Sequence, residues 1–423
     1  MPSMMDGDGK ASAQAVGKRG GRGEAGGRWT MPGIANMIDL IARLESPDIT
    51  VRQERCVLVR NRNAACLRCA EACTSGCISY DGERLTISPE RCIGCGTCAT
   101  ACPTCALEAH RPNDAQLMER CSSAASETGG LVCLACAQLL ERARGRYDVD
   151  KVVPVACLGR VEESLLTGLA SRGAEEIVLV GGGCEACEHA NGWDMAKLVC
   201  RTEERLLRAW RSSARVRLAR KLPAAVRAKD EGYDKGKRAS FAAGGCEAAH
   251  AGAAALRPSE SPSGRLGADA AGCRLKVMED GTLPHFIPDR RERLLDALAS
   301  MGQPQDVMVD TRLWGHVVID VQRCSSCRMC ATFCPTGAIA KFQDEDGTFG
   351  IEHYPGDCVK CRCCATICPE GALTLSEEVF AVDMLAGMVD RYEMRPPAVR
   401  RDQPHAIWHT MKTMMKTDQV YER

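Results

Sequence analysis

The chain has 423 residues, 55 basic against 55 acidic side chains, 28 cysteines and only 4% aromatic residues. That length suits roughly two to four domains, and the charge balance excludes a global electrostatic pull towards nucleic acid. No apolar run is long enough to cross a membrane and Met1–Thr30 lacks a secretory signal, so a reducing, cytoplasmic setting is expected.

Residues 1–54 read as a disordered N-terminus, Gly-, Lys- and Arg-rich up to residue 30, followed by a short helix on Met37, Ile38, Ile41, Ala42 and Leu44. A natural start at Met31 is compatible with this pattern. Gly21-x-Gly23-x-x-Gly26 imitates a dinucleotide fingerprint, but no strand pattern precedes it and no helix pattern follows. Residues 55–115 form a first cysteine-rich module. It contains Cys66-x2-Cys69-x3-Cys73-x3-Cys77 and then Cys92-x2-Cys95-x2-Cys98-x3-Cys102-Pro103.

Residues 116–222 alternate strand and helix patterns. Three apolar runs, Leu131–Cys133, Val152–Cys157 and Ile177–Cys184, each end in cysteine, and Ala137–Gly145 and Val161–Gly173 between them have helical periodicity. Such an order predicts an α/β domain with a parallel sheet. Ligand sites collect beyond the carboxyl ends of these strands. Cys133, Cys136, Cys157, Cys184 and Cys187 are therefore expected to converge on one further metal centre. The arginine-rich stretch Arg201–Lys221 reads as a helix.

Residues 223–281, rich in Ala, Gly, Ser, Lys and Pro, read as a flexible linker. Residues 282–314 form a helical connector, with a helix at Asp289–Met301 whose apolar face holds Leu294, Leu295 and Leu298. Residues 315–378 form a second cysteine-rich module. Its runs are Cys324-x2-Cys327-x2-Cys330-x3-Cys334-Pro335 and Cys358-x2-Cys361-x2-Cys364-x3-Cys368-Pro369, with a hairpin signal at Asp344–Gly347 between them. Residues 379–423 form a Met-rich tail. An internal repeat relates Cys102-Pro-Thr-Cys-Ala-Leu to Cys334-Pro-Thr-Gly-Ala-Ile and Cys368-Pro-Glu-Gly-Ala-Leu.

The three regular runs resemble those with which bacterial-type ferredoxins hold [4Fe–4S] clusters. Residues 315–378 resemble a two-cluster bacterial ferredoxin throughout. The resemblance implies one cluster on Cys324, Cys327, Cys330 and Cys368, and another on Cys358, Cys361, Cys364 and Cys334. Residues 55–112 are similar, with one residue too many before Cys73 and Ile78 in place of proline. There the assignment is Cys66, Cys69, Cys73 and Cys102 for one cluster, and Cys92, Cys95, Cys98 and Cys77 for the other. Zinc ribbons do not explain eight cysteines per module at this spacing.

About 90 residues of the central segment resemble the delta subunit of methyl-viologen-reducing hydrogenases. The resemblance rests on Cys133-Leu-Ala-Cys136, Cys157-Leu-Gly-Arg-Val-Glu162 and Gly183-Cys-Glu-Ala-Cys187-Glu-His189 with Asn191-Gly192. It implies a [2Fe–2S] cluster that passes electrons between partners. A structural zinc on the two CxxC pairs and a dithiol pair remain open alternatives. His189 is a further ligand candidate, against a surface role.

The expected fold class is thus two α+β ferredoxin-like dicluster modules flanking one α/β domain with a parallel sheet. The expected function is electron relay, polyferredoxin-like and anaerobic, linked to hydrogenase or heterodisulfide reductase. Its partners would be oxidoreductase subunits carrying flavin, molybdenum or nickel–iron. Two alternatives stand beside it. One is a catalytic reductase subunit acting on a disulfide or small oxidant through the Cys66–Cys77 run or through Cys56, Cys105 and Cys121. The other is a redox or oxygen sensor.

Overall fold

Four short strands frame the first cysteine-rich region: β1 (Ile49–Val51), β2 (Ile78–Tyr80), β3 (Leu85–Ile87) and β4 (Leu107–Ala109). β1 pairs antiparallel with β4, and β2 with β3. The region therefore begins before the expected boundary at residue 55, because β4 needs β1 to satisfy its backbone. Its core is small. Ile49, Leu58, Leu85 and Leu107 are buried together with the thiols of Cys56, Cys69, Cys77 and Cys98.

The computed structural model describes residues 48–228, 275 and 277–395. The helix expected over Met37–Leu44 and most of the 223–281 segment lie outside the described residues. Where that segment is described, it is packed: Val226 is fully buried, and its carbonyl accepts from the Asp148 N–H at 2.9 Å.

In the central domain the helix Asp114–Thr128 starts on an Asn113–Gln116 capping box and ends at the left-handed Gly129. Four parallel strands follow: β5 (Leu131–Cys136), β6 (Val153–Val155), β7 (Glu176–Val180) and β8 (Arg215–Ala219), in spatial order β6-β5-β7-β8. Period-two alternation divides their side chains between two faces. Val132, Leu134, Ile177 and Leu179 face a core completed by the helices Asp114–Thr128, Glu163–Ser171 and Asn191–Ala209. Cys133, Ala135, Val178 and Val180 face the other side, against Leu140 and Val226.

In place of the single helix expected over Arg201–Lys221 there are a helix end and a strand. The helix runs Asn191–Ala209 and gives way to β8. Arg215, Val216, Arg217 and Leu218 alternate with period two. Val216 is buried, and Arg217 reaches Glu176 on the neighbouring strand at 2.6 Å. Arginines on both elements made one continuous charged helix out of a helix and a strand.

The connector helix Asp289–Ser300 buries Leu294 and Leu298, as its periodicity predicts, and lies against the helix Glu163–Ser171. Strands β9 (Met308–Asp310), β10 (His316–Ile319), β11 (Ile339–Gln343), β12 (Phe349–His353) and β13 (Leu373–Ser376) build the second cysteine-rich region. β10 pairs with β13, and β11 with β12 through the Asp344–Gly347 turn. The chain past residue 378 is more than a tail. β14 (Glu378–Phe380) pairs with β9, and β15 (Asp390–Glu393) adds a strand to β12. Met384 and Met394 are buried there, whereas Met411, Met414 and Met415 lie outside the described residues. Among the described residues no helix is long and apolar enough to cross a membrane.

Candidate metal centres

The three regular cysteine runs share one backbone rule. The residues on either side of the middle cysteine are left-handed: Gly94 and Gly96 around Cys95 (φ 64° and 74°), Ser326 and Arg328 around Cys327 (60° and 57°), Lys360 and Arg362 around Cys361 (50° and 65°). Left-handed residues set between ordinary ones curl a loop into a concave nest of N–H groups suited to an anionic cluster. A short helix carrying the third thiol follows each loop, at Thr97–Ala101, Met329–Thr332 and Cys363–Ile367. The sulfurs of Cys102 and Cys368 accept from Ala106 N–H at 3.3 Å and Ala372 N–H at 3.4 Å. Hydrogen bonds to a ligand sulfur tune the potential of the cluster it holds.

The Cys66–Cys77 run is built differently. A helix, Arg68–Glu71, starts inside it, and Gly76 (φ 59°) is its left-handed residue. The extra residue is absorbed in that helical turn. The Cys73 and Cys77 sulfurs stand 3.5 Å apart.

Thiol neighbourhoods cross between runs. Burial and then Cys102, Cys56 and Cys66 push the Cys69 thiol up to about 12. Cys77 is raised first by its hydrogen bond to Cys92, then by burial. Burial and the nearby Cys327, Cys324 and Cys368 raise Cys330. Burial and then Cys361, Cys358, Cys334 and Cys330 raise Cys364. The fourth cysteine of each run thus stands among the first three of the other. Cys105 adopts the left-handed turn (φ 48°) that Gly337 and Gly371 take in the other repeats, and burial holds its thiol at about 12.

In the central domain Cys136, Cys157, Cys184 and Cys187 line one pocket with Gln138, His189 and Trp193. It lies beyond the carboxyl ends of β5, β6 and β7, where the strand order reverses between β5 and β7. Open α/β sheets bind ligands at such a switch point. Cys187 Sγ contacts Gln138 Oε1 at 3.2 Å, and the Gly159 and His189 N–H groups point at the sulfurs of Cys157 and Cys187. Cys133, expected among these residues, is not there. A CxxC pair inside a strand places its cysteines on opposite faces, so Cys133 is sealed behind the sheet with Val178 and Val180 while Cys136 reaches the pocket.

The donor chemistry fits a thiophilic metal such as iron or zinc. Buried thiols crowded by one another resist deprotonation, and a bound cation reverses that balance. Among the described residues no three His, Cys, Asp or Glu side chains converge closely enough to hold a single metal ion.

Several buried charges escaped the sequence reading. Asp114 binds Arg160, Arg290 (3.4 Å) and Arg293 (2.5 Å), joining the first helix of the central domain to the connector. Burial opposes its ionisation, but these three arginines together hold its carboxyl well below the usual range. Arg60, 1% exposed, donates to the carbonyls of Pro284 (2.8 Å), Cys334 (3.1 Å) and Phe333 (3.4 Å). Sequence separations this large leave no local signal.

Comparison with known proteins gives two domain matches. Residues 323–372 match the 4Fe-4S dicluster domain family, and residues 85–108 match the 4Fe-4S binding domain family. The chain is also 50% identical over 40 residues to the electron transport protein HydN of Escherichia coli K12, and equally to HydN of the O6:H1 and O157:H7 strains. That stretch is 10% of this chain and 23% of each relative's length. Two 4Fe–4S ferredoxin-type domains are therefore present. They imply iron–sulfur clusters and support a role in electron transfer.

Proposed function

We propose that this chain is an electron-relay subunit with four [4Fe–4S] clusters and a further metal centre in its central domain. It would work between partner oxidoreductases whose flavin, molybdenum or nickel–iron site performs the substrate chemistry. The observation that carries the reading is the shared left-handed pattern around Cys95, Cys327 and Cys361, in the same regions that match ferredoxin-type families.

The ligand sets are Cys324, Cys327, Cys330 and Cys368; Cys358, Cys361, Cys364 and Cys334; Cys92, Cys95, Cys98 and Cys77; and Cys66, Cys69, Cys73 and Cys102. Cys136, Cys157, Cys184 and Cys187 form the fifth set, as a [2Fe–2S] or zinc site. When bound, the clusters supply reversible one-electron storage. The chain's own residues bind, shield and tune. Cys98, Cys330 and Cys364 are buried, so water is kept from one side of their sites, and the N–H groups of Ala106 and Ala372 donate to the Cys102 and Cys368 sulfurs, where they would tune cluster potential.

Metal analysis of anaerobically purified protein, with electron paramagnetic resonance after dithionite reduction, tests the proposal. Roughly 18 irons per chain with a [2Fe–2S] signal would support all five centres as redox-active, while roughly 16 with one zinc would make the central site structural. Fewer than roughly 12 irons would sink the four-cluster reading.

A further inference from the structure

We infer that the five cysteine sites form one electron path in a fixed order, running from the central pocket through the first ferredoxin-type domain and across a junction at Arg60 into the second. This rests on the electron-relay reading, with the central site as a [2Fe–2S] cluster, and adds the order of the sites and the ends of the path.

Contacts between the loops give the order. At the start, Cys157 of the central pocket lies within electrostatic reach of Cys95. The two loops meet there through the Thr97 side chain: a Cβ on Gly159 would fall 2.2 Å from Thr97 Oγ1, and Thr97 sits between Cys95 and Cys98. Cys98 in turn stands near Cys69 and Cys73, which links the two sites of the first domain.

The junction between the domains is a contact of ligand loops as well. Arg68, between Cys66 and Cys69, donates to the Lys360 carbonyl at 3.1 Å, the residue before Cys361. Cys363 is 2% exposed and lies near both Cys334 and Cys66. Val57, Ala64, Phe333 and Ile367 seal the seam. Beyond it, Cys364 neighbours Cys330, and the path ends at the Cys324–Cys330 loop. Among the described cysteines Cys327 alone is exposed. Tunnelling falls steeply with distance, so thin cover at Cys327 marks the end at which a one-electron redox protein exchanges with the chain.

Arg60 is the positioning residue of the junction. It projects from the first domain into the second, and its guanidinium spans the Phe333–Cys334 carbonyls beside Cys361 and Cys363. A buried cation there favours the extra negative charge of a reduced site. Each hop oxidises one site by one electron and reduces the next, and no bond or proton moves. The donor and acceptor are one-electron redox proteins at the two ends.

The test uses the full chain, reduced with dithionite. Iron content comes first: wild-type protein lacking iron in either domain would refute the relay reading itself. With iron present, the spectrum of the first domain should be broadened by spin coupling across the junction. Removing the near site with Cys361→Ala and Cys364→Ala should narrow it. Removing the far site with Cys324→Ala and Cys327→Ala should leave it unchanged. Equal effects of the two pairs, or none, would overturn the order. Arg60→Gln guards against variants that do not accumulate. It should retain iron and lower the potential of one cluster with the rest unmoved, and Arg60→Lys should restore that potential. If no potential moves, the junction is wrongly placed.

Discussion

Gly192→Ala isolates the central pocket from the rest of the protein. Gly192 lies in the first turn of the helix Asn191–Ala209, and a Cβ there would stand 2.0 Å from Cys157 Sγ. Ordinary contact begins at 3.4 Å, so the sulfur would have to retreat by about 1.4 Å. The nitrogen and Cα of Gly159, 3.3 and 3.6 Å from the same point, close off one direction of escape. A metal–thiolate bond tolerates about 0.2 Å, so the displacement is several times what a ligand can absorb. The overpacking itself costs about 1–3 kcal/mol. The variant should therefore lose the central metal, about two irons or one zinc, while the iron of the two ferredoxin-type domains stays. Metal analysis of wild-type and variant protein purified in parallel reads this directly. Wild-type central metal content in a folded Gly192→Ala protein would refute the geometry.

Three more expectations follow from the same contacts. Cys136→Ala should abolish the central metal while Cys133→Ala keeps it and loses about 1 kcal/mol of packing; metal content that falls in both, or only in Cys133→Ala, would contradict the strand alternation. Asp114→Asn should cost about 3 kcal/mol by leaving buried arginines unmatched. Its carboxyl is depressed in the folded state, so this stability is present above the unfolded value of about 3.9 and is lost as pH falls through the folded one. Melting temperatures of the wild type should accordingly drop on acidification more steeply than those of the variant. Glu203 is the opposite case: burial raises its carboxyl well above the ordinary value, although the Thr167 hydroxyl donates to both its oxygens. Its contribution is full below about 4.3 and is lost as pH rises through the folded value. Glu203→Gln should thus gain stability over wild type progressively with pH, and a pH-independent difference between their melting temperatures would count against a protonated Glu203.

Local pattern made much of this molecule legible. The cysteine intervals fix the three regular loops because the curl of each loop depends only on the residues inside it. The three apolar runs ending in cysteine read directly as β5, β6 and β7, and the Leu294–Leu298 face of the connector helix read equally well. Legibility failed where two elements share one composition, as at Arg208 and Arg215 on either side of a helix-to-strand change. It failed also where a three-residue spacing means opposite things in a loop and in a strand, so that Cys133 and Cys136 lie on opposite faces of the sheet. The placement of Arg60 beside Cys334 depends on residues 274 positions apart, and no window along the chain contains both.

The contacts that bring the two halves of the described chain together bridge the stretch 229–274. Arg60 to Pro284, Arg68 to Lys360, Trp210 to Gly302 and Arg312 to Glu163 each join a residue before it to one after it. Peptide continuity through that stretch is therefore not what holds the two halves in place. Separate genes for residues 1–228 and 275–423 should yield chains that recombine.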